Sequence, residues 1–128
     1  MSYTFGATFE GSMEDVEKRV TAALADEGFG VLTRIDVQAT LKAKIDVDRD
    51  PYVILGACNP VLANQAINAD KDLGALLPCN VVLRDIGGSV AVRVMDPEAV
   101  LSIVGNPVVD EAGAIARAKL ERVVAALQ

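Results

Sequence analysis

The stretch "NVVLRDIGGSVAVRVM", residues 80–95, decides the fold, because two alternating apolar runs meet there at Gly87-Gly88. Paired glycines between such runs mark a two-residue hairpin turn, since both central positions can take positive φ without a Cβ clash. With the turn there, Val81 and Leu83 share one face with Val90, Val92 and Val94, and Arg84 and Arg93 share the other. Directly opposite residues of an antiparallel pair project to the same side, so the pattern defines one buried and one wet sheet face.

Working upstream, "YVILGAC" (Tyr52–Cys58) is apolar on both faces and predicts a central strand. Asn59 and Pro60 follow as an N-cap and a first-turn proline. Leu62, Ala63, Ala66 and Ile67 would form the buried stripe of that helix, which should end near Leu73-Gly74. At the start of the chain, "YTFGATF" alternates Tyr3, Phe5, Ala7 and Phe9 against Thr4, Gly6 and Thr8, the period of a one-faced strand. Ser12 then caps a helix whose stripe is Met13, Val16, Val20, Ala23 and Leu24 and which ends at Gly28. Glu14/Lys18 and Asp15/Arg19 are spaced to pair on its wet side.

"VLTRIDV" predicts a second strand, with Val31, Ile35 and Val37 on one face and Arg34 and Asp36 on the other, and "QATLKAKI" a short helix. Downstream of the hairpin, "DPEAVLSIV" is a short helix that "NP" breaks. Asp110 is read as the cap of a last helix with Ala116, Leu120, Val123, Val124 and Leu127 inward. The expected fold is α+β: a single domain over residues 1–128, built as a two-layer sandwich. Its sheet is mostly antiparallel, with about five strands and amphipathic helices on one face.

With 18 acidic and 12 basic residues the net charge is -6, which repels phosphate backbones and anionic lipid surfaces, so neither nucleic acid nor membrane is an expected partner. The first residues, "MSYTFGATFEGSMEDVEK", lack the basic start and apolar core of a signal peptide, and a cytoplasmic location is expected. Cys58 and Cys79 would then be thiols at rest.

The chain contains no histidine, which removes Ser-His-Asp and Cys-His catalysis and every histidine-bearing metal site. Two cysteines cannot make a four-thiolate zinc site, and neither G-x-x-x-x-G-K-[ST] nor a G-x-G-x-x-G after a strand occurs. No cofactor or metal is expected. Asp46, Asp48 and Asp50 alternate, but without the turn glycine and terminal glutamate of a calcium loop they read as a wet turn.

The remaining chemistry centres on Cys58-Asn59 and Cys79-Asn80. Cys58 precedes a helix start, where unpaired amides and the positive end of the dipole favour a thiolate or another anion. The preferred reading is plainer, a small buried residue at a strand end with no role beyond packing, and capping alone accounts for Asn59. A simple crossover would leave the cysteines at opposite ends of a helix about 20 Å long. If "DLGALLP" instead runs back along the helix, both thiols and both asparagines would line one pocket, the arrangement slightly favoured here. A second candidate surface is the polar sheet face with Arg34, Arg84 and Arg93. Asp96-Pro97 caps the next helix, and the Asp96 carboxylate would edge the same cleft. Arginines there would hold a small anionic ligand or a partner subunit, although an ordinary solvated face with local ion pairs is the preferred explanation.

"TLKAKI", "PYVILGACNPVLANQAI", "LLPCNVVL" and "VMDPEAV" resemble, in this order, the family known as domain of unknown function number 302, over essentially the whole chain. The resemblance implies a small α+β fold, a homodimer from bacteria or archaea, and no established activity. Its motif falls on Cys58, Asn59, Pro60, Pro78, Cys79 and Asn80. Asp46 stands where the resemblance leads one to expect a glycine.

Two functions remain in view. One is a dimeric small-ligand or partner-binding module with its site near the Cys58-Asn59 helix start. The other is a thiol-dependent redox or sulfur-handling protein using Cys58 as reactive thiolate and Cys79 as resolving partner.

Overall fold

The Gly87-Gly88 turn closes as the sequence predicts. In the computed structural model, which describes residues 2–128, the two glycines take φ of 90° and 87°. Positive φ at both central positions gives the turn whose twist matches the flanking strands. Those strands are β4 (Cys79–Asp85) and β5 (Ser89–Met95), in the expected register: Val81 lies opposite Val94, and Leu83 opposite Val92.

The remaining strands are β1 (Thr4–Glu10), β2 (Gly30–Asp36) and β3 (Tyr52–Cys58). The sheet order is β1-β5-β4-β3-β2, and every neighbouring pair is antiparallel. Helices α1 (Met13–Asp26), α3 (Pro60–Ala69) and α5 (Pro107–Ala126) cover one face. The principal core lies between the layers, where Leu24, Leu55, Leu83 and Leu120 are essentially inaccessible. A smaller cluster of Ala66, Leu73, Leu101, Val109 and Ala112 forms where α3 and α5 meet α4 (Pro97–Leu101). The domain is an α+β sandwich, as expected.

Several local readings change. β2 carries a bulge between Val31 and Thr33, which shifts the alternation by one residue beyond it. Arg34 therefore stands opposite the core residue Leu55, on the helix-covered side, whereas Ile35 stands opposite Ile54 on the open side. Val37 is the first residue of α2 (Val37–Ile45) rather than the end of a strand. The last helix starts earlier than Asp110: Asn106 accepts from the amides of Val108 and Val109, and Pro107 occupies the first helical position. The "NP" read as a break is a start, because proline there lacks only an amide that no helical carbonyl would use.

In α1, Ser12 caps and Glu14 pairs with Lys18 at 3.2 Å, as expected. Arg19 instead donates to the Leu127 carbonyl, tying α1 to the end of α5. α3 ends at Ala69, and residues Leu73–Leu76 form a separate 3-10 turn. Asp46 takes the left-handed conformation, with φ of 54°, and ends α2 as the family's expected glycine would.

Candidate functional site

The return segment runs back along α3, so the two cysteines converge. Ala57 lies directly opposite Cys79 in the β3–β4 ladder, and Cys58 is the next residue along. The thiols thus occupy successive positions of the pleat rather than facing ones, a poor geometry for a direct disulfide. Both are free. They line one cavity with Asn59, Phe29, Leu62 and Pro78, but its volume is only about 30 Å³. That holds about one water molecule rather than an organic ligand.

Electrostatics at this cavity oppose thiolate formation. The Cys79 thiol is pushed up from 9.0 to about 11, first by burial and then by the neighbouring Cys58 thiol. Burial also raises Cys58, which is only half-buried. The helix start offers little compensation, because Pro60 has no amide and those of Leu62 and Ala63 are already engaged. Leu62 donates to Asn59 Oδ1 at 3.2 Å, and Ala63 donates to the Asn59 carbonyl at 2.9 Å.

Asn80 is separated from the thiols. Strand alternation sends it to the uncovered sheet face, where it lines a depression with Tyr3, Thr4 and Arg93. Arg84 shares that open face, opposite Tyr52 and Ala91. The four residues read as one polar surface therefore divide. Arg34 lies on the helix side and grips Glu17 of α1 through two bonds of 2.8 and 3.0 Å. Asp96 is 8% exposed, accepts from the amides of Glu98 and Ala99, and pairs with Arg117 of α5. The Arg117 guanidinium also lies 3.9 Å from the centroid of the Phe5 ring. Asp96 is a structural clamp at the junction of β1, α4 and α5.

One larger concavity was not foreseen. Between α1 and the β2–β3 side of the sheet lies a groove of about 780 Å³. Met13, Glu17, Thr21 and Ala25, spaced by four along α1, form one wall; Arg34, Tyr52 and Val53 belong to the other. The shrinking side chains along that α1 ridge were the signal available in the sequence, but the distance from ridge to strand was not. Among the described residues no cluster of three or more metal-ligating side chains occurs, and no helix is long and apolar enough to cross a membrane.

The fold is close to a crystal structure of an uncharacterized conserved DUF302 protein from Bacillus stearothermophilus. The TM-score is 0.92 at 26% sequence identity, with 100% of each chain covered. No curated protein matches the chain. The model of the family described as domain of unknown function DUF302 matches residues 5–127. The chain belongs to the DUF302 family.

Proposed function

We propose that the protein is a cytoplasmic, homodimeric small-ligand-binding module whose ligand occupies the groove between α1 and the β2–β3 side of the sheet. The groove carries this reading: about 780 Å³ falls within the range typical of small-molecule sites. Apolar walls from Met13, Ala25 and Val53 supply burial, while Thr21 and the Arg34–Glu17 pair supply polar contacts that fix orientation. The cavity beside Cys58-Asn59 is too small for that task, and the raised thiol pKa values favour binding over thiol chemistry.

The dimer would form along β2 and α2. Leu32, Ile35, Ile45 and Val47 are 67%, 47%, 62% and 41% exposed, a concentration of apolar side chains on and beside an edge strand. An edge strand presents unpaired amides and carbonyls, and pairing with its own copy satisfies them.

Ligand-observed NMR with a fragment library tests the site. Fragments should bind the wild-type protein and lose binding when Ala22→Phe fills the groove; equal binding by both proteins would discard the groove. Light scattering on a sizing column tests the dimer. Leu32→Lys combined with Ile35→Lys should halve the measured mass, whereas a monomeric wild type would defeat that part of the reading.

A further inference from the structure

The open sheet face holds a second concavity, distinct from the groove and independent of it. β5 places Arg93 directly opposite Gly6 of β1 on one side and Val82 of β4 on the other. A side chain at Gly6 would run into the Val92 carbonyl, the oxygen that the Arg93 guanidinium uses as an acceptor. Arg93 Nη1 donates to the Ala7 carbonyl at 3.0 Å and to its neighbour Val92 at 2.9 Å. Both hydrogens of Nη1 are thereby used, and the group is anchored to the β1–β5 ladder. An arginine has five N–H donors, so the Nε–Nη2 edge keeps three, and none meets an acceptor among the described residues. Among the described residues no carboxylate pairs with it, although the molecule carries a net charge of -6.

Around this arginine is a depression of about 300 Å³. Val82, Met95 and Val100 give it an apolar lining, and Thr4, Tyr3 and Asn80 add hydroxyl and amide groups. Asn80, singled out beside Cys79, and Arg93, singled out on the polar sheet face, thus line one site.

We propose that this depression binds a small monocarboxylate with an apolar chain, held side-on by the Nε–Nη2 edge of Arg93. A planar, two-oxygen, singly charged head matches one guanidinium edge, the geometry in which arginine binds carboxylates bidentately. A phosphate dianion would place two negative charges against a single cation, on a protein that already repels anions. The apolar lining accommodates the chain, and Asn80 offers an amide donor to the second side of the head.

Calorimetric titration with octanoate, octylamine and octanol tests the proposal. Octanoate should bind, and neither uncharged nor cationic analogue should match it. Val82→Glu sets a carboxylate directly opposite Arg93, and Asn80→Ala removes a donor from an exposed position; each leaves the buried face of β4 untouched. Binding of octanoate should weaken at least about tenfold in Val82→Glu, the loss expected when a charge-assisted pair is competed away. It should weaken less in Asn80→Ala. Circular dichroism and a thermal melt confirm that both variants fold. Failure of octanoate to bind, equal binding of octanol, or wild-type affinity in a folded Val82→Glu would each overturn the assignment. The groove-filling Ala22→Phe should leave octanoate binding unchanged, which separates failure here from failure of the groove.

Discussion

Cys79 shows how one buried position overrides a suggestive motif. Its thiol is held at about 11, so at pH 8 the thiolate fraction is on the order of 10⁻³. Iodoacetamide should therefore label Cys58 well before Cys79, as mass spectrometry of timed samples would report; comparable rates would contradict the buried environment. The same shift acts on stability. A group whose folded pKa is raised contributes stability that is intact below the unfolded value and is lost as pH climbs through the folded value. For Cys79 that window is pH 9 to 11, and the loss is about 2–3 kcal/mol. Urea denaturation across this range should fall more steeply for wild type than for Cys79→Ala, and parallel curves would refute the linkage. The paired Cys-Asn motif was visible in the sequence. Its direction was not, because alternation sends Cys79 inward and Asn80 outward, and only the return of "DLGALLP" along α3 brings Cys58 beside Cys79.

Three helices of this protein begin the same way, with Asn59-Pro60, Asp96-Pro97 and Asn106-Pro107. Each side chain accepts from amides that no helical carbonyl can serve, and each proline occupies a position where an amide is dispensable. Asn106→Ala should cost about 1 kcal/mol in chemical denaturation, the usual worth of a cap. Asp96→Ala should cost more, about 2–3 kcal/mol, because it also leaves Arg117 without its most buried partner. Equal losses in the two variants would mean that the Asp96–Arg117 pair contributes nothing beyond the cap. The first two starts were legible, but the third was misread because proline was taken as a terminator. What distinguishes a start from a stop is the apolar stripe that follows, and Val109 and Ala112, both buried, belong to it. The phase of β2 was legible only up to its bulge. An extra residue in a strand is decided by pairing with β3, so local alternation put Arg34 on the wrong side.

At the scale of the molecule, composition and the glycine-turned hairpin were enough to indicate an antiparallel α+β sandwich, since both depend on local pattern. Strand order depends on which apolar faces meet after the chain has doubled back, and no local window carries that information. The order found places β1 against β5, with Phe5, Ala7 and Phe9 opposite Val94, Val92 and Val90. These partners lie most of a chain length apart. Closing so long a loop precedes any gain from the pairing, which slows folding relative to local contacts. A chain ending at Gly88 should consequently show no cooperative thermal transition; a sharp melt would mean that β2, β3 and β4 form a stable unit alone. During synthesis β1 is thus made long before β5, the strand it pairs with. Until β5 (Ser89–Met95) emerges, Phe5 and Phe9 remain available to any other exposed strand edge, so the hazard lasts through most of translation rather than its beginning.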